Sequence, residues 1–204
     1  IVFAKALHAS GGEDFTIAGV AAANSGVHVV SGSFKGTELW LQGGANIGGI
    51  ADDGYFTALY NAAGGAEWIA FLNPNSGIPN VTGIAMSDDG ERIAVVGNYS
   101  DSLLNFGNSA VTASFANNKR FAVWYNKVGQ PMGAGTLSST VNVDIYDIRL
   151  DDTYKLWTAC DYTGNLFWNG TALGTPGSGS GNNLIAILEP NVAVASPKIE
   201  YSGS

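Results

Sequence analysis

The sequence predicts an all-β chain of about three stacked, four-stranded antiparallel units with a leftover strand at each end, and two observations carry that expectation. The first is an internal repeat. Val29-Val30-Ser31-Gly32-Ser33-Phe34 returns as Val95-Val96-Gly97-Asn98-Tyr99 and again as Thr158-Ala159-Cys160-Asp161-Tyr162, a period of about 64 residues. Each closing aromatic (Phe34, Tyr99 and Tyr162) is followed by a short polar turn and then by apolar residues: Leu39-Trp40, Leu103-Leu104 and Leu166-Phe167-Trp168. The second is composition. With 28 glycines and 13% charged residues among 204, the chain suits many tight turns between short strands and poorly suits long surface helices. At 46% hydrophobic it also has the apolar material for a core.

Taken in order, residues 1–10 read as a terminal strand, 14–78, 79–141 and 142–192 as three units, and 193–204 as a partial unit. In the first unit, 15–23 turn through Asn24-Ser25-Gly26 into 27–34, then 37–42, and close on Tyr55 to Asn61. The second runs Val81 to Met86, turns at Ser87-Asp88-Asp89-Gly90 into 91–99, then 102–106, and closes on Arg120 to Asn126. The third runs 142–150, turns at Asp151-Asp152 into 153–162, then 165–169, and closes on Leu184 to Leu188. Asn-Ser-Gly and Asp-Asp-Gly supply the positive-φ positions of tight hairpins. The stretches 43–53, 107–118 and 170–183 read as small-residue loops, with Gly177 to Gly181 as a loop tip. Apolar residues fall on both faces of several segments, which predicts sheets packed on both sides.

An apolar-Ala strand, an Asp-Gly turn, Val95 to Tyr99 and then Arg120-Phe121-Ala122-Val123-Trp124-Tyr125 make a unit that resembles bacterial β-propeller repeats of large surface proteins. Phe3-Ala4-Lys5-Ala6-Leu7, followed by Ser10-Gly11-Gly12, is similar to that family's last strand and exit turn. The resemblance covers most of the chain and implies propeller-like blades in a secreted or cell-surface protein. The third unit departs from it, with Cys160-Asp161 where the second has Gly97-Asn98. A pair of immunoglobulin-like β-sandwich domains is the alternative fold. Three units do not close a ring, because closed propellers use about four to eight blades. Val2 to Leu7 aligns with Tyr55 to Tyr60, and Ala193 to Tyr201 reads as an opening strand. These ends pair either with each other or with neighbouring molecules.

Unpaired ladder groups on Ile1, Val2, Phe3, Ala4, Lys5, Ala6 and Leu7 would cost free energy, so this segment is the candidate donor strand. Repeated head to tail, such pairing builds a filament from copies of the same chain. The expected role is therefore a non-enzymatic, extracellular structural or adhesive subunit. The competing expectation is a carbohydrate-binding module or a fragment of a larger surface propeller protein. Starting at Ile1, the sequence is expected to be either a processed chain or a segment of something longer.

The chemistry-bearing residues are few. A net charge of -8 and a pI near 4.5 argue against nucleic acid and anionic membranes as partners, and no apolar run of about 18 residues suggests membrane insertion. His8 and His28, the only two histidines, lack a nucleophile at motif spacing, so no catalytic residue is expected. No metal-ligand spacing and no phosphate-binding glycine loop is present, so neither metal nor cofactor is expected. Asp52-Asp53, Asp88-Asp89 and Asp151-Asp152 fall between strand candidates and read as turn residues rather than calcium ligands. Cys160 reads as a small buried residue. Trp40 and Trp168 are the candidate glycan contacts, although their matching repeat positions predict packing between units more directly. Asn80, Asn98 and Asn169 open glycosylation sequons.

Overall fold

The computed structural model describes residues 7–10, 15–34, 38–41, 45–47, 54–72, 80–99, 103–106, 109–112, 119–174, 182–189 and 199–200, and these form only strands and turns. The chain enters on β1 (Leu7–Ser10). The first unit follows as β2 (Phe15–Ala22), β3 (His28–Phe34), β4 (Glu38–Leu41), β5 (Ala45–Ile47), β6 (Gly54–Tyr60) and β7 (Ala66–Leu72). The second is β8 (Asn80–Met86), β9 (Arg92–Tyr99), β10 (Leu103–Phe106), β11 (Ser109–Thr112), β12 (Lys119–Asn126) and β13 (Pro131–Ser139). The third is β14 (Asn142–Leu150), β15 (Leu156–Thr163), β16 (Leu166–Trp168), β17 (Thr171–Gly174), β18 (Asn182–Leu188) and β19 (Ile199–Glu200).

One plan recurs three times. Four strands pair in chain order, as β2-β3-β6-β7, β8-β9-β12-β13 and β14-β15-β18-β19, and a short hairpin interrupts each set between its second and third strands. All the pairings are antiparallel. This corrects the sequence reading of the third segments. Within 37–42, 102–106 and 165–169, strands β4, β10 and β16 do not join the sheets of their own units, because β3, β9 and β15 are already laddered directly to β6, β12 and β18. They fold back instead on β5, β11 and β17, which lie inside stretches read as loops. The fourth strands are β7, β13 and β19.

Turns recur with the strands. Ala23, Ser87 and Asp151 open the first turn of each unit by accepting from Gly26, Gly90 and Tyr154, whose φ values are 84°, 76° and 63°. The glycines take the left-handed region freely, whereas Tyr154 holds it as a side-chain-bearing residue. After β6 and β12, Asn61 and Asn126 each use Oδ1 to cap two backbone amides of the following turn.

The middle sheet is buried on both faces. Ile93, Val95, Tyr99, Phe121, Val123 and Tyr125 enter one core, shared with Val29, Tyr55 and Leu59 of the first unit. Their neighbours Ala94, Val96, Ala122 and Trp124 enter a second, shared with Leu156, Cys160, Tyr162 and Leu184 of the third. Successive strand residues point to opposite faces, so two-sided burial produces unbroken apolar runs in place of alternation.

Candidate functional site

Two kinds of feature join the units, strand-edge pairings and clefts at the turns. In the first, the hairpin of one unit pairs with the last strand before that unit. Leu166, Phe167 and Trp168 of β16 ladder to Ser139, Ser138 and Leu137 of β13, extending the middle sheet to six strands. β1 and β4 repeat the arrangement: Glu38, Leu39 and Trp40 ladder to Ser10, Ala9 and His8. Trp40 and Trp168 therefore hold matching places in two junctions. β1 stands against β4 as β13 stands against β16.

Of the proposed donor residues, Leu7 lies at the start of β1 opposite Leu41, while Ile1 to Ala6 fall outside the described residues. Trp168 is 6% exposed, with its ring edge-on to Trp124 at 6.3 Å, so its stacking faces are spent on packing between units. Gly135 makes room for it, since a Cβ there would overlap the indole ring. Asn80 is exposed at the start of β8, whereas Asn98 is half-buried within β9. Asn169, with φ 49°, accepts from the Thr136 amide at 2.8 Å through Oδ1 and donates its own amide to the Thr136 carbonyl at 2.9 Å. Its side-chain nitrogen is buried.

The first turns of all three units meet at one end of the stack around a cleft of about 390 Å³ lined by Asn24, Ser87, Asp88, Asp89 and Asp152. The Asn24 amide donates to the Asp88 carbonyl at 3.0 Å, and the Tyr154 hydroxyl donates to Asp89 at 2.8 Å. Arg92 lies 4.8 Å over the Tyr154 ring. Hydrogen bonds from Ser87, the Glu91 amide and Tyr154 hold the Asp89 carboxyl below its ordinary value. Burial pushes the Asp151 carboxyl up, but donation from Trp157, Thr153 and the Lys155 amide outweighs it and brings the group to about 2. Both acids thus serve as turn acceptors. Asp52 and Asp53 lie outside the described residues. Among the described residues, no group of three His, Cys, Asp or Glu could hold a metal ion.

A smaller cavity of about 150 Å³ lies where the first strands of the units converge, lined by Gly19, Thr82, Gly83, Ile145, Tyr146 and Asp147 among others. Each strand carries a β-bulge there, at Ala18, Thr82 and Tyr146, again about 64 residues apart. The Tyr146 hydroxyl donates to Asp161 at 2.7 Å. Cys160 is 3% exposed, and burial pushes its thiol up to about 12, so it stays protonated and unreactive.

A further tryptophan joins the first and second units. Trp68 in β7 donates Nε1–H to the Lys127 carbonyl at 2.8 Å and packs over Gly129, where a Cβ would come within 2.7 Å of the ring. The signal was present in the paired Asn-x-x-Gly turns at Asn61 and Asn126, which mark what Trp68 covers. Compared with models of known protein families and with curated proteins, the chain has no match.

Proposed function

We propose that this chain is a non-enzymatic structural subunit of an extracellular or cell-surface assembly. In this reading its three units are propeller-like blades that join one another, and other copies of the chain, by β-strand complementation. The observation that carries the proposal is the equivalence of the β1–β4 and β13–β16 junctions. The third unit's hairpin accepts the last strand of the unit that precedes it and the first unit's hairpin accepts β1, whereas β10 and β11 pair only with each other among the described residues. In the second junction that strand belongs to a complete sheet. In the first it comes from the segment read as a donor strand, so the same edge is suited to a strand from a neighbouring molecule.

The propeller reading is supported by face-to-face stacking of four-stranded meanders and by convergence of the three bulged first strands on one cavity. The turn-bound acids and the buried thiol support a structural role over a catalytic one.

Electron microscopy of the purified chain, with light-scattering masses, tests the proposal. Regular filaments that vanish when residues 1–8 are deleted are the expected result. A chain that stays monomeric at high concentration would overturn it, as would filaments indifferent to the deletion.

A further inference from the structure

The junction between the second and third units uses both edges of one strand. β13 ladders to β12 on one edge, with Thr136, Leu137 and Ser138 opposite Phe121, Arg120 and Lys119, and to β16 on the other. β1 holds the place of β13, since Ser10, Ala9 and His8 meet Glu38, Leu39 and Trp40 as Ser139, Ser138 and Leu137 meet Leu166, Phe167 and Trp168. Among the described residues, however, its far edge has no neighbour. The complementary gap lies in the third unit. β18 is the counterpart of β12, because Leu184 stands opposite Cys160 as Phe121 stands opposite Gly97. Among the described residues, its outer edge is laddered to β19 at Ile185 and Ala186 alone. Asn182, Asn183 and Leu184, the counterparts of Lys119, Arg120 and Phe121, have no described partner on that side. One chain thus holds a strand without a sheet and a sheet edge without a strand.

The end faces match in the same sense. Val81 and Ile84 of the middle sheet pack into the core shared with the first, and Ile145 and Ile148 of the third into the core shared with the middle. Their counterparts on β2, Ile17 and Val20, stand opposite Gly32 and Val30 and are 52% and 66% exposed. A third sheet closed back on the first within one chain would cover them, so the chain does not fill its own gap. Each internal junction also carries a polar bridge: Ser33 donates to Asn80 at 3.4 Å, and Arg120 pairs with Asp144. Asp161 and Thr16 are the counterparts of Ser33 and Asn80. Thr16 is exposed, and Oδ1 of Asp161 is a buried acceptor with no partner among the described residues.

We infer, on the reading that copies join by strand complementation, that the acceptor of β1 is the outer edge of β18 in another copy. β1 keeps its own β4 and completes the neighbour's third sheet, with Leu7 opposite Leu184, His8 opposite Asn183 and Ala9 opposite Asn182. Two copies then share a six-stranded sheet, built as β8-β9-β12-β13-β16-β17 is built within one. Unlike edges meet, so the contact is heterologous and propagates. Asp147 stands where Gly19 and Gly83 admit Ile84 and Ile148 at the internal junctions, which keeps the faces further apart here and leaves the ladder as the main bond.

Disulfide formation in the full chain tests this register, because a bridge needs Cβ atoms about 4 Å apart. Chains carrying both His8→Cys and Asn183→Cys, or both Ala9→Cys and Asn182→Cys, are oxidised and run on a non-reducing denaturing gel. A ladder of covalent multimers from either pair supports the acceptor. His8→Cys combined with Asn182→Cys is expected to stay at the mass of one chain, since neighbouring residues of a strand point to opposite faces. Filaments that depend on residues 1–8 yet give no ladder from either in-register pair would overturn the acceptor and leave strand complementation standing. Monomers at all concentrations would overturn both. An equal ladder from the out-of-register pair, a bridge within one chain, or linking of chains that carry Asn183→Cys alone would also overturn the acceptor.

Discussion

The two cores that flank the middle sheet are built on one plan from different materials. The first is aromatic and carries hydroxyls: Tyr55 and Tyr125 share a hydrogen bond, Tyr99 meets Thr136 at 2.9 Å, and Ser31 meets Thr57 at 3.0 Å. Burial raises Tyr55 well above its ordinary range and Tyr125 to about 12, so both remain neutral donors. The second core is mostly aliphatic, with Trp124 edge-on to Trp168 within it. A single position shows how the plan tolerates both. Gly32 and Gly97 lie beneath the Phe56 and Phe121 rings, while Cys160 lies across from Leu184. Small-plus-large has become medium-plus-medium, so volume is kept while residue identity is not.

This comparison can be broken in graded steps. The largest effect is expected from Trp124→Ala, which empties the centre of the second core and should cost about 3–5 kcal/mol in urea unfolding. A much smaller loss would mean that the third unit does not depend on this contact. Next comes Gly97→Ala. Its Cβ would meet the Asn80 carbonyl and approach Phe121 Cε1 to 2.7 Å, for about 1–3 kcal/mol. Adding Phe121→Leu should recover part of that loss and no more, since the carbonyl still collides. Full recovery in the double-mutant cycle would show that the ring alone dictates glycine.

Tyr55→Phe should cost about 1–2 kcal/mol by stranding the Tyr125 hydroxyl, an effect with no counterpart in the second core. The smallest effect is pH-linked. Asp151 has a depressed carboxyl, so the stability it contributes is present above about 3.8 and lost as pH falls towards about 2. The gap in urea midpoint between the native chain and Asp151→Asn should accordingly close over that window. A gap that persists at pH 2 would assign the contribution to shape and not to charge.

The elements that the sequence made legible were those whose signal is local. The closing aromatics Phe34, Tyr99 and Tyr162 and the turns at Gly26 and Gly90 fall where the repeat puts them, as each depends on neighbours within a few residues. β13 was invisible for the opposite reason. Pro131-Met132-Gly133-Ala134-Gly135 shows no apolar alternation, yet it opens a central strand whose Gly135 answers to Trp168, a partner far along the chain. The hairpins were misplaced because an apolar triplet such as Leu166-Phe167-Trp168 advertises burial without saying against which sheet. As for the site, the matching of Trp40 with Trp168 was readable, but what the match meant required the register of β1 on β4.

The ladder from β16 to β13 has a mechanical consequence. The third unit's hairpin crosses the boundary of its own unit, so the third and second units overlap like roof tiles. Pulling the third away from the second must shear backbone hydrogen bonds as well as separate oily faces. Such a stack should resist force along its length better than one held by side chains alone, and should lose neighbouring units together when it finally yields.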